Sequence, residues 1–205
     1  MATAPGARAA ACAMWTARPH MAMTTSTAID GIVLAGGLSS RMGRDKALLP
    51  WRGRTLLEHM RDVLIAAGAQ RVWVSGDYPA FDGIPDQVAR CGPLGGLYSV
   101  SLAMPDTVAW VVPVDMPSLT GALLHRLHGV PSACSVFSGE PLPMCLQIND
   151  HCRRALRTLI EDPQARRSLR ALQERLAATA LPLPENERAL LFNCNTGADW
   201  ESIAT

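Results

Sequence analysis

The residues best suited to chemistry lie in one stretch, Leu34-Ala35-Gly36-Gly37-Leu38-Ser39-Ser40-Arg41-Met42-Gly43-Arg44-Asp45-Lys46. Glycines let backbone N–H groups approach a ligand with no Cβ in the way, and Arg41, Arg44 and Lys46 would neutralise phosphate oxygens. The stretch reads as an anion cradle. It is neither the P-loop pattern, which needs Gly-x-x-x-x-Gly-Lys-Ser/Thr, nor the dinucleotide fingerprint. A glycine-rich surface turn with solvated cations is the plainer alternative. The interleaved cations and the apolar run in front favour the cradle.

A second candidate, Asp115, follows the apolar run Trp110-Val111-Val112-Pro113-Val114 and precedes Met116-Pro117. Its carboxylate should emerge at the mouth of a sheet. A hard oxygen there suits Mg²⁺, which keeps several waters and is normally shared with substrate phosphates. An aspartate capping a helix that begins near Ser118 is the alternative, and spacing alone does not choose between them.

The elements that must position these residues can be read from periodicity. Gly31 to Leu34 has the short apolar pattern of a buried parallel strand, and it runs directly into the glycines. Thr55-Leu56-Leu57-Glu58 has capping-box spacing, and apolar residues at 56, 57, 60, 63, 64 and 67 share one helical face before Gly68. Arg71 to Ser75 reads as a strand, Gly95 to Met104 as a helix ended by Pro105, and Val108 to Val114 as a strand. Further on, Ala133 to Phe137 and Leu142 to Ile148 read as strands, and Asp150 to Ile160 and Gln164 to Ala178 as helices. A short helix is expected to close the chain. Strand and helix alternate, so the expectation is one three-layer α/β/α domain with a Rossmann-like, mostly parallel sheet and ligands at the carboxyl ends of its strands. Residues 29–205 would form this domain, and residues 1–28 read as a disordered extension.

Composition narrows the function. Nineteen Lys+Arg against eighteen Asp+Glu give a net charge of +1, without the basic surplus that a polyphosphate backbone requires, so nucleic acid is not an expected partner. No apolar stretch has the roughly 18 residues of a membrane span. The six cysteines include no Cys-x-x-Cys pair, which fits reduced thiols in the cytoplasm. The five histidines lack metal-ligand spacing and read as helix surface or tail. Arg166, Arg167, Arg170 and Arg175 read as the solvated face of an amphipathic helix.

The stretch from Leu34 to Lys46 resembles the signature of the sugar-nucleotide-transferase-like nucleotidyltransferases, and within them the guanylyl-transferring branch of the molybdopterin nucleotidyltransferase family. Four further pieces carry the resemblance: Gly92-Pro93-Leu94-Gly95-Gly96 after Asp86, Pro113 to Pro117, Glu140-Pro141-Leu142-Pro143, and Asn193-Cys194-Asn195-Thr196. It runs from about Gly31 to Trp200.

The resemblance implies transfer of GMP from GTP to the terminal phosphate of molybdenum-bearing molybdopterin, with release of pyrophosphate. It implies that Leu34, Ala35, Gly36 and Gly37 line the GTP, that Lys46 reaches its phosphates, and that Ser75 and Asp86 contact the nucleoside. Asp115 would hold Mg²⁺, and Lys46, Asp115 and Arg41 would carry catalysis. Arg41, Gly43, Asn193 and Asn195 are the candidates for the pterin side. The cytidylyl relatives tend to carry Leu-Ala-Ala-Gly where this chain has Leu34-Ala35-Gly36-Gly37, so GTP is expected over CTP. The rival readings are a cytidylyltransferase, a sugar-1-phosphate nucleotidyltransferase, and a non-catalytic module delivering cofactor to molybdoenzymes. A monomer is expected, with molybdoenzymes or their chaperones as protein partners.

Overall fold

The computed structural model describes residues 28–36 and 45–194. The N-terminal extension, the glycine-loop residues Gly37, Arg41, Gly43 and Arg44, and the tail with Asn195 and the expected closing helix lie outside the described residues.

The chain opens with β1 (Ile29–Leu34), a two-stranded hairpin of β2 (Pro50–Trp51) and β3 (Arg54–Thr55), and α1 (Leu56–Ala66). It continues through β4 (Val72–Ser75), α2 (Gly92–Ala103), β5 (Thr107–Pro113) and α3 (Gly121–His128). The remainder comprises β6 (Cys134–Phe137), β7 (Met144–Ile148), α4 (Asp150–Glu161), α5 (Leu169–Arg175) and β8 (Thr179–Leu181). Six strands form one sheet in the order β4-β1-β5-β7-β6-β8. Only β7 runs against the others, because the short connection from β6 returns the chain directly, whereas β8 is reached across two helices.

Local signals explain the helix ends. The capping box of α1 is formed in both directions: Thr55 Oγ1 accepts from Glu58 N at 3.2 Å and Glu58 Oε2 accepts from Thr55 N at 2.6 Å. Gly68, at φ +98°, turns the chain away after the last turn. The backbone hydrogen bond from Thr55 holds the Glu58 carboxyl below its ordinary range, so the box persists at neutral pH.

Helix α2 begins three residues before the expected Gly95, because Pro93 occupies the first turn, where its fixed φ suits a helix and its missing N–H costs nothing. Helix α5 is much shorter than the expected 164–178. Asp162 accepts from Gln164 N at 2.8 Å in a tight turn, Ser168 then caps at Ala171 N, and Ala177 at φ +49° leaves the helical region. Arg166 and Arg167 therefore precede the helix rather than lining its face. Helix α3, with Leu123, Leu124 and Leu127 buried, starts at Gly121 and not near Ser118, and β7 starts at Met144, two residues after the expected Leu142.

Side-chain parity on β1 assigns the layers. On one face, the position of a Cβ at Gly31 lies 2.8 Å from Leu64 Cδ1 of α1, and α3 joins that layer where Gly121 meets Ala67. On the other face, Leu34 pairs with Ser75, against which Gly96 of α2 packs, and α4 and α5 extend the layer. Between them lie Ile32, Val33, Val111, Trp110 and Phe137, all at most 1% exposed. Each large apolar side chain so buried contributes roughly 1.5–3 kcal/mol. Trp110 Nε1 donates to Leu124 O at 2.8 Å, so its polar atom stays paired inside the core. Arg153 of α4 donates to Ser101 O and Met104 O, both at 2.8 Å, and so places a cation on the carbonyl end of α2.

Because Gly31 leaves space filled by Leu64, Gly31→Ala should overpack the β1–α1 contact and lower stability by about 1–3 kcal/mol. Denaturant unfolding should show a lower midpoint with an unchanged slope.

Candidate active site

The site follows from where three neighbouring strands stop. Leu34 is in register with Ser75 on one side and with Pro113 on the other, so β1, β4 and β5 end on one rung. The rung continues one step further, with Ala35 N donating to Ser75 O and Val114 N to Leu34 O, each at 3.2 Å. The loops bearing Gly36, Gly76 and Asp115 therefore leave the sheet side by side. Since α1 and α2 cover opposite faces, β1 and β5 flank the point where the winding of the sheet reverses, which is where open α/β sheets form ligand crevices.

Lys46 and Asp115, 69 residues apart in sequence, meet there: Lys46 Nζ donates to Asp115 Oδ2 at 3.0 Å. Their side chains are 19% and 18% exposed, so the pair faces the crevice instead of lying sealed in the core. Lys46 starts a short 3₁₀ turn (Lys46–Leu48) that Asp45 caps by accepting from Ala47 N at 3.0 Å. The Asp115 loop is held from two sides. Cys194 N donates to Asp115 O at 2.9 Å, which brings the partly buried Asn193 to the same loop. His59 Nε2 lies 2.8 Å from Pro117 O, and since a carbonyl only accepts, that nitrogen carries the proton.

His59 is thus a brace between α1 and the Asp115 loop, half-buried against Trp51, and not the surface histidine that its lack of metal spacing suggested. Its position between Leu56 and Met60, beside the buried stripe, was the available signal. The helix-cap alternative for Asp115 is not realised, because α3 starts at Gly121 with Thr120 at its cap position and Asp115 is engaged by Lys46.

The other wall gathers Gly36, Ser75, Asp86 and the start of α2. The position of a Cβ at Gly36 lies 3.4 Å from Gly76 Cα, 3.5 Å from Ser75 Oγ and 3.7 Å from Asp86 Oδ1. At Gly96 it would stand 2.1 Å from Ser75 Oγ and 3.2 Å from Asp86 Oδ1. The two glycines let β1, β4 and α2 close around Ser75, which is 1% exposed and lies behind them. Asp86 is exposed at the surface of this wall, and partial desolvation raises its carboxyl pKa, making it receptive to a partner that donates hydrogen bonds to its charged form.

Leu34, Ala35, Gly36, Lys46, Ser75, Asp86, Asp115 and Asn193 therefore gather around the carboxyl ends of β1, β4 and β5, whereas Gly37, Arg41, Gly43 and Asn195 fall outside the described residues. Among the described residues no group of three His, Cys, Asp or Glu side chains could hold a metal. A lone carboxylate beside an anion site instead matches the donor set of a cation that keeps most of its waters and shares phosphate oxygens. Cys91, Cys134, Cys145, Cys152 and Cys194 are buried, and burial pushes the Cys134, Cys145 and Cys152 thiols up to about 12, so none of those three is a thiolate nucleophile.

The α/β fold carries glycines, a lysine and a carboxylate at one end of its sheet, and the model of the MobA-like NTP transferase domain matches residues 31–177, which makes the protein a nucleotidyltransferase. A molybdenum cofactor guanylyltransferase from Xanthomonas euvesicatoria pv. vesicatoria is 49% identical over 184 residues, covering 88% of this chain and 97% of that protein. A probable molybdenum cofactor guanylyltransferase from Opitutus terrae is 32% identical, covering 85% and 94%. The crystal structure of molybdopterin-guanine dinucleotide biosynthesis protein A from Archaeoglobus fulgidus superposes with a TM-score of 0.65 at 20% identity, covering 85% of this chain and 96% of that one. The chain belongs to the MobA-like NTP transferase family, among the molybdenum cofactor guanylyltransferases.

The tight Gly96–Ser75 approach makes a reciprocal prediction. Gly96→Ala should lower stability by about 1–3 kcal/mol as Ser75 and α2 are forced apart. Adding Ser75→Ala, which deletes the nearest oxygen, should recover part of that loss in the same unfolding measurement.

Proposed function

We propose that this chain transfers GMP from GTP to the terminal phosphate of molybdopterin carrying molybdenum, forming the guanine dinucleotide cofactor and pyrophosphate. The Lys46–Asp115 pair at the ends of β1 and β5 is the observation that carries this reading. An oxygen of the pterin phosphate attacks the α-phosphorus of GTP. A new P–O bond forms, the bond from the α-phosphorus to the bridging oxygen breaks, and pyrophosphate leaves with the electron pair. The attacking phosphate is already ionised near neutral pH, so no side-chain base is needed.

The principal barrier is the approach of two anions and the charge gained by the leaving group, which oriented positive charge and N–H groups offset. Lys46 would bind the phosphates, Leu34 to Gly37 would line the nucleotide, and Arg41, Gly43, Asn193 and Asn195 would serve the pterin side. Asp115 would hold Mg²⁺, which neutralises phosphate charge when bound. Lys46 now occupies the Asp115 carboxylate, so turning this ammonium toward the phosphates would free the oxygen that the cation needs.

Asp86 supports the choice of base, with Ser75 behind it. Guanine presents adjacent N1–H and N2–H donors that a carboxylate accepts together, whereas cytosine sets an acceptor beside its single amino group. The buried thiols fit a reducing compartment, which supports a cytoplasmic enzyme.

Incubation with Mg²⁺, molybdopterin carrying molybdenum and each nucleoside triphosphate should give GMP incorporation; CMP incorporation without GMP would overturn the assignment in favour of a cytidylyltransferase. Lys46→Ala should lose about 3 kcal/mol of transition-state stabilisation, on the order of a hundredfold in kcat/KM, and Asp115→Asn should raise the Mg²⁺ concentration needed for half-maximal rate. Asp86→Asn should narrow the preference for GTP over CTP at least tenfold, since a site built around hydrogen-bond donors rejects analogues lacking them. The raised Asp86 pKa gives the sign with pH: protonation removes acceptors, so KM for GTP should rise on acidification, and Asp86→Asn should flatten that rise.

A further inference from the structure

Tyr78 sits in the exit from β4, in a loop closed by its own backbone. Its N–H donates to Gly76 O at 3.1 Å, and its carbonyl accepts from Phe81 N at 2.9 Å and Gly83 N at 3.0 Å. The ring lies over Gly76, where a Cβ would stand 2.6 Å from Tyr78 Cε2, so the absence of a side chain at Gly76 fixes the direction of the ring. The hydroxyl then reaches two separate segments: it stands 3.1 Å from Ala35 O, just past β1, and 3.0 Å from Asp45 Oδ1, just before Lys46.

The same Asp45 Oδ1 accepts from Ala47 N. The carboxylate oxygen that Tyr78 holds is therefore the one that caps the turn bearing Lys46. A continuous path runs from the β4 loop through Tyr78 and Asp45 to that turn, and from Lys46 Nζ to Asp115. Burial, reinforced by the Asp45 carboxylate, raises the phenol pKa well above its ordinary value, so the hydroxyl remains a donor throughout the working range.

We propose that Tyr78 is a positioning residue for Lys46: its hydroxyl ties the Lys46 turn, through Asp45, to the end of β1 and so fixes where the ammonium meets the triphosphate. The inference rests on the reading of Lys46 as a phosphate ligand. A reacting group displaced by about 1 Å can lose on the order of a hundredfold in rate.

Tyr78→Phe keeps the ring over Gly76 and deletes only the hydroxyl. It should lower kcat/KM for GTP roughly tenfold or more while the unfolding midpoint stays close to that of the parent. The deciding measurement is the cycle with Lys46→Ala: in that background Tyr78→Phe should cost less than about twofold, because the lysine it positions is gone. Asp45→Ala, which leaves the tyrosine in place, should reproduce the loss and be non-additive with Tyr78→Phe. Calorimetric titration with GTP should follow the same pattern in affinity. An unchanged kcat/KM for Tyr78→Phe, or an equal factor in both backgrounds, overturns the proposal while leaving Lys46 in its role. An unaltered Lys46→Ala enzyme instead overturns the reading of Lys46, and the proposal with it.

Discussion

The contact between Lys46 and Asp115 holds together the two halves of the site, and its setting matters more than its strength. A partly buried ion pair adds little to net stability, because desolvation offsets much of the Coulomb gain. Its consequence is geometric. It places a cation and a hard carboxylate at the same strand ends, where under the proposed function a triphosphate would take the first and a divalent cation the second. Neither group is sealed in the core, since both side chains keep part of their surface exposed.

The rest of the structure maintains that arrangement. The common rung at Leu34, Ser75 and Pro113 aligns the three loops. His59 and the Cys194 backbone hold the Asp115 loop from two directions, and Tyr78 and Asp45 hold the Lys46 turn. Arg153 fixes the far end of α2, whose near end brings Gly95 and Gly96 against Ser75 and Asp86. Each of these contacts joins segments distant in sequence. The crevice is a product of the assembled sheet, not of any one motif.

The legibility of the sequence varied with the range of the interaction that decides each feature. The capping box of α1 and the apolar runs of β1 and β5 are local, and their elements formed within a residue or two of expectation. Helix α5 differs at both ends because a turn at Asp162 and a cap at Ser168 delay its start and the left-handed Ala177 ends it. The helix expected near Ser118 starts three residues later, at Gly121, because its apolar face has just three buried leucines to mark its extent. Among the site candidates, Lys46, Asp86 and Asp115 are singled out by residue type and family resemblance. His59 shows only its place beside the buried stripe of α1, and Tyr78, a tyrosine in a loop, carries no distinguishing local pattern.

By itself the sequence determined the alternation of strand and helix, the glycine stretch after the first strand and the carboxylate after the fifth, because hydrophobic period, caps and glycine are written into neighbouring residues. It also determined the family, through five short motifs in a fixed order. Only the tertiary structure decided that Lys46 touches Asp115, that Gly96 leaves room for Ser75, and that one phenol bridges Ala35 and Asp45. Those contacts depend on strand order and register, which are settled by packing across the whole sheet, and no local pattern of residue types encodes them.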